Sequence, residues 1–308
     1  MTPDEHTNQE FFLDVGDGHQ IYVQDWGKKD AKTPIIFLHG GPGGGTSNGQ
    51  KQRFDAAQQR VIFFDQRGSG KSLPTGSIEN NTTAHLIEDI ETLTQHLNIK
   101  EFIITGGSWG SCLGLAYTLK HPKKVKALVL SGIYTASSTE TAYIDNGGFS
   151  EFFPDIWQTY IDSVPKEFAG DPSAYHYKQA FGSDPEAAKR SIYAYAELEG
   201  SLLSLDDRHT PQDYATFDPL SMKIELHYLK NNGFLPENYI LDNAHKIQTE
   251  TWLVQGRYDM VCPPVTAYKL NQKLPNSQLI WTTAGHSSGN RANYDVMRTI
   301  LLTLTERV

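Results

Sequence analysis

A serine flanked by glycines stands at residues 106–110, Gly-Gly-Ser-Trp-Gly, between the apolar run FIIT and a stretch of helical spacing. A serine hydroxyl is a weak nucleophile unless a base takes its proton, and the base in turn needs a carboxylate to orient it. Two downstream segments offer these partners. Gly256-Arg257-Tyr258-Asp259 directly follows the strand-like TWLVQ, and Ala284-Gly285-His286-Ser287 directly follows QLIWTT. Both fall at the carboxyl ends of predicted strands, where parallel sheets place their sites. Taken singly, Ser108 could merely cap a helix and His286 could be a structural histidine. Together they predict Ser108 as nucleophile, His286 as general base and Asp259 as the orienting acid.

Gly-x-Ser-x-Gly between a strand and a helix is the nucleophile elbow of α/β-hydrolases, whose chain order is Ser, acid, His. Such a site also needs an oxyanion hole. The run His39-Gly40-Gly41-Pro42-Gly43-Gly44-Gly45 follows the strand PIIFL, where little side chain keeps its backbone from a substrate oxygen. The predicted donors are the backbone N–H groups of Gly41 and Trp109, with His39 bracing the loop. Other motifs fall away on inspection. RGSGKS (67–72) lacks the first glycine of a phosphate loop, since Asp65 stands there, and the glycines at 40–45 have no GxGxxG register. Neither HExxH nor paired-cysteine spacing occurs, so no metal or cofactor is expected. Cys112 and Cys262 are too few for a disulfide framework and read as packing thiols.

The elements that must hold these residues follow from the periodicity. FFLDV and QIYVQDW alternate in polarity around Gly16-Asp17-Gly18 and predict a hairpin. PIIFLH (34–39), RVIFFD (60–65), EFIIT (101–105) and VKALVL (125–130) are apolar runs suited to strands buried on both faces. Helices are predicted over 81–98 and 109–120. After 250 the rhythm resumes with TWLVQG, a helix over 264–274, SQLIWTT and a helix over 290–305. The fold class is therefore α/β: an α/β-hydrolase fold with a mostly parallel central sheet, helices on both faces and an inserted helical cap. The expected organisation is core over 1–135, cap over 136–242 and core again over 243–308.

Net charge is −9, which argues against a nucleic-acid partner. Between Ala136 and Asp242 there are 18 acidic and 7 basic residues, whereas the remainder carries 18 and 20. The predicted cap thus holds all of the excess negative charge and suits a cationic ligand as well as it suits solvated helices. No apolar run is long enough to span a bilayer, and the polar start MTPDEHTNQEFF does not resemble a secretory signal. A cytoplasmic protein is expected, and the sequence indicates no oligomeric state.

The motifs taken together resemble the proline iminopeptidase (prolyl aminopeptidase) family of serine α/β-hydrolases: HGGPGGG (39–45), DQRGSGKS (65–72), GGSWGSCLGLAY (106–117), HP (121–122), LVLSGIY (128–134), GRYDMVCP (256–263) and GHS (285–287). The resemblance covers essentially the whole chain. It implies removal of an N-terminal proline from short peptides, with Ser108, Asp259 and His286 catalytic. Leu198-Glu199-Gly200 and Glu225-Leu226-His227-Tyr228 match two signatures of the family's cap, which implies that Glu199 and Glu225 bind the substrate's free amine. Tyr134 and Tyr143 fall where the family places pocket aromatics. Three positions depart from the pattern: Ser131 replaces a frequent Arg, while Tyr195 and Leu198 stand where Trp is usual. These departures leave open an esterase or amidase acting on small acyl esters or amino-acid amides.

Overall fold

The computed structural model describes residues 1–205 and 212–307. Residues 206–211 of the expected cap, and Val308 of the expected second core segment, lie outside the described residues. The chain opens with β1 (Thr7–Asp14) and β2 (Gln20–Gly27), then β3 (Ile35–Leu38), a four-residue helix α1 (Asn48–Lys51), β4 (Arg60–Phe64) and α2 (Thr83–His96). β5 (Phe102–Ser108), α3 (Trp109–Lys120) and β6 (Val125–Ile133) complete the first half. Among the described residues six α-helices follow: α4 (Ser138–Asp145), α5 (Pro154–Asp162), α6 (Pro172–Ala180), α7 (Pro185–Gly200), α8 (Leu220–Lys230) and α9 (Tyr239–Asn243). The sheet resumes with β7 (Glu250–Gly256), α10 (Pro264–Lys273), β8 (Ser277–Thr282) and α11 (Arg291–Arg307).

The eight strands form one sheet in the order β1-β2-β4-β3-β5-β6-β7-β8. β1 and β2 join it antiparallel, and the remaining pairings are parallel. The continuous apolar runs have a direct cause. Successive residues of β3 point to opposite faces, Ile36 and Leu38 into one core and Ile35 and Phe37 into the other. The first core is covered by α2, α3 and α10, and the second by Met297, Ile300, Leu301 and Leu304 of α11.

A third apolar cluster gathers Ile144, Tyr160, Ile192, Tyr195, Leu198 and Leu226 from α4, α5, α7 and α8. It gives the helices between β6 and β7 a core of their own. α8 is the seam: Leu226 faces that cluster, while Ile224 and Tyr228 face the main core. Glu225 is thereby carried on the seam itself. Beyond α8, Ile240, Ala244 and Ile247 also pack into the main core.

Candidate active site

Ser108 closes β5 and opens α3, with φ 56° and ψ −126°, a conformation that non-glycine residues rarely adopt. Strain of this kind persists only where the surroundings enforce it. The flanking glycines show how they do so. A Cβ on Gly106 would lie 2.8 Å from Gly110 O and 2.9 Å from Leu38 O, and one on Gly110 would collide with Leu38 O. The turn can be this tight only because both positions are bare. It leaves Ser108 at the first turn of α3, where free amides favour negative charge.

Asp259 and His286 arrive from the loops after β7 and β8. The Asp259 carboxylate is 2% exposed and accepts from Cys262 N at 2.8 Å, Val261 N at 3.0 Å and Gln255 Nε2 at 3.0 Å. His286 Nδ1 lies 2.9 Å from its Oδ2 and 3.0 Å from its Oδ1. An ionised carboxylate only accepts, so Nδ1 carries the proton and donates, leaving the Nε2 lone pair free. Burial pulls the imidazole pKa down, yet the charge and hydrogen bond of Asp259, with a further contribution from Glu199, outweigh it and hold the pKa above its ordinary value. Gly132, at φ +50°, makes room for the ring: a Cβ there would stand 3.0 Å from His286 Cε1 and 3.6 Å from Ser108 N.

The glycine loop passes directly over the serine, since a Cβ on Gly40 would be 3.3 Å from Ser108 Cβ. His39 holds that loop. Its Nε2 accepts from Gln66 N at 3.0 Å, so the ring is neutral and Nδ1–H donates to Gly40 O at 2.9 Å. The Gln66 side chain donates to His39 O at 3.0 Å and accepts from Trp109 Nε1 at 2.9 Å. This chain of bonds ties the loop bearing Gly41 to the residue after Ser108.

Two cavities meet at Ser108. The outer one, about 330 Å³, is lined by Ser108, His286, Gly41, Ser131 and Arg53 among others, and the inner one by Tyr134, Ile144, Tyr195, Leu229, Val261 and Cys262. Glu199, Glu225, Gly41 and Ser108 line both. Glu225 is 6% exposed and hydrogen-bonds with Glu199. Burial first, then the charge and hydrogen bond of Glu199, push its carboxyl well above the usual range. Two carboxyls so placed hold a proton between them or bind a cation.

Most of the sequence-predicted residues therefore converge. Tyr143 does not: it lines neither cavity, its ring packs against Gly148, and its hydroxyl meets Met260 Sδ at 4.0 Å. Leu198 turns into the core of α4–α8, while Tyr195 lines the inner cavity. Cys262, read as a packing thiol, lies in that cavity beside Ser108, and burial pushes the thiol pKa well up. Among the described residues no hydrogen bond joins Ser108 to His286. Arg53, Ile144 and Leu229 carried no signal in the sequence, because Arg53 lies in the turn after α1 and the other two lie in helices too ordinary in pattern to stand out. Among the described residues no cluster suited to a metal ion occurs, and no helix is long and apolar enough to cross a membrane.

The strand order, the strained serine between β5 and α3, and loops that bring Asp259 and His286 together define an α/β-hydrolase. Residues 33–288 match the family model described as alpha/beta hydrolase fold. Within that class the chain belongs to the proline iminopeptidase family. It is 40% identical over 284 residues to "Proline iminopeptidase" of Arabidopsis thaliana, covering 90% of this chain and 74% of that protein. It is 38% identical over 297 residues to the Xanthomonas citri protein of the same name, covering 94% of each. Among solved structures, the proline iminopeptidase of Mycobacterium smegmatis shares the fold with a TM-score of 0.65 at 18% identity, over 97% of this chain and 98% of that one.

Proposed function

We propose that this chain is a serine aminopeptidase that releases an N-terminal residue, proline, from short peptides through an acyl-enzyme. The observation that carries the reading is the Glu199–Glu225 pair in the same two cavities as Ser108. A substrate ammonium leaving water needs anionic acceptors, and charge-assisted hydrogen bonds to two carboxyls supply them. The apolar lining of the inner cavity suits a pyrrolidine ring.

With the amine anchored, the first carbonyl carbon comes to rest over Ser108, and longer reach into the chain is prevented. The Ser108 side chain turns toward His286, its Oγ attacks the carbonyl carbon, and the Oγ proton passes to Nε2. The oxyanion is met by the N–H groups of Gly41 and Trp109. His286 then protonates the departing amine as the C–N bond breaks, leaving an ester on Ser108. Water, deprotonated by the same imidazole, attacks that ester and frees the amino acid. Asp259 keeps the imidazolium oriented throughout.

Substrate binding also prepares the base. The ammonium offsets the Glu199 charge, one of the influences that raise the His286 pKa, so the imidazole reaches its neutral form more readily once substrate is seated. The test is a panel of prolyl, alanyl and leucyl anilides, their N-blocked forms and short-chain esters. Prolyl anilide turned over fastest, with N-blocking abolishing it, is the expected result. Esters and N-blocked amides cleaved as well as free prolyl anilide would instead make this an esterase or amidase.

A further inference from the structure

Arg53 is the one Lys or Arg among the described residues lining the outer cavity, and it does not line the inner one. It is partly buried, follows the short helix α1, and stands over the Phe37 ring at 6.0 Å. Among the described residues the guanidinium donates one hydrogen bond, Nη2 to Ser288 Oγ at 2.7 Å, and no carboxylate lies within ion-pair distance. Two other guanidines of the described residues have carboxylate partners, Arg67 with Asp89 at 2.8 Å and Arg60 with Asp25 at 2.8 Å, and Arg298 donates to the backbone carbonyls of Gln52 and Phe54. A cation drawn from water without a counter-charge is costly, and burial holds the Arg53 pKa below its usual value against a smaller upward influence of Tyr294. Its bond to Ser288 fixes it to the loop that carries His286, so its place relative to the reacting bond is set.

The two cavities divide the substrate at the scissile bond. The amine-binding carboxyls and the apolar inner cavity take the first residue, and what lies beyond the cleaved bond must occupy the outer cavity. We propose that Arg53 is a specificity-determining residue that binds the free α-carboxylate of the leaving group, making dipeptides and other very short free-acid peptides the preferred substrates. The planar guanidinium retains donors beyond the one given to Ser288, and such donors match a carboxylate in a forked geometry. The substrate, cationic at one end and anionic at the other, would then lie between Glu199 with Glu225 and Arg53. The proposal rests on the aminopeptidase reading and adds to it a preference on the leaving side.

The experiment compares Pro-Ala, Pro-Ala amide and prolyl anilide with the wild-type protein, Arg53→Met and Arg53→Lys. The expected wild-type preference for the free acid over the amide in kcat/KM is about tenfold to hundredfold, the effect of charge-assisted hydrogen bonds to a carboxylate, and it lies chiefly in KM. Arg53→Met should bring the ratio near one, and Arg53→Lys should restore part of it. A wild-type ratio near one with prolyl anilide still cleaved overturns the role of Arg53 alone, as does a loss in Arg53→Met that is equal for acid and amide. Should Arg53→Met not fold, the wild-type ratio and Arg53→Lys decide the matter. Failure of the wild-type protein to cleave any of the three removes the aminopeptidase reading, and the proposal with it.

Discussion

Replacing Glu225 with glutamine should separate stability from turnover. Glu225 is 6% exposed, and its nearest ionisable partner is another carboxyl, Glu199. Its folded pKa is therefore raised, so the folded chain keeps a proton that the unfolded chain releases from about pH 4.5 upward. The sign follows: the wild-type protein loses stability as pH climbs from the unfolded value to the folded one, at roughly 1.4 kcal/mol per pH unit. Glutamine has the same shape, can donate to Glu199 and does not titrate. The variant should gain on the wild type across that window, by about 2 °C in melting temperature per pH unit for a chain of this size. Activity should move the other way. Losing one charge-assisted bond to the ammonium is worth about tenfold to hundredfold in kcat/KM on prolyl anilide, with a much smaller effect on a short-chain ester. Thermal unfolding at several pH values between 5 and 8, beside kinetics on the two substrates, tests both halves. A melting difference that stays flat with pH, or equal losses on anilide and ester, would refute the reasoning.

Further outcomes are expected. Ser108→Ala should lower turnover by about five or six orders of magnitude and abolish fluorophosphonate labelling while the melting transition persists; retained labelling would remove Ser108 from the chemistry. Because the general base must be neutral, ester hydrolysis should fail as pH drops through a His286 pKa above the ordinary imidazole value. Glu199→Gln removes one of the charges responsible, so the acid limb measured with an ester should move to lower pH; an unmoved limb would contradict that influence. Gly132→Ala places a methyl 3.0 Å from His286 Cε1 at a backbone φ of +50°. It should cost about 1–2 kcal/mol of stability and about a hundredfold in kcat, and wild-type rates in a folded variant would show that the ring has room to spare.

Much of the fold is legible in the chain. Continuous apolar runs mark strands covered on both faces, and the switch to helical spacing marks what covers them. Strand ends are less legible. β5 runs on to Ser108 and β6 to Ile133, beyond the apolar stretches at 101–105 and 125–130, because Gly106 and Gly107 pair with Leu130 and Ser131. A glycine has no side chain to advertise a strand, so its partner across the sheet decides. α8 is similarly two-sided, and only packing reveals that it carries Glu225 along a seam.

The site divides along the same line. Sequence by itself determined Ser108, Asp259 and His286 as candidates, since each follows a strand in a motif whose glycines and order have a local physical reason. It also determined that the stretch 136–242 is acidic, and the family resemblance singled out Glu199 and Glu225 within it. Only the tertiary structure decided that Glu199 and Glu225 touch, that Tyr134 lines the inner cavity while Tyr143 does not, and that Arg53 stands beside Ser288 with no carboxylate of the described residues as counter-ion. Local patterns record what a residue requires of its chain neighbours. Burial, charge pairing and the walls of a cavity depend on residues far apart in the chain, and they exist once the chain has folded.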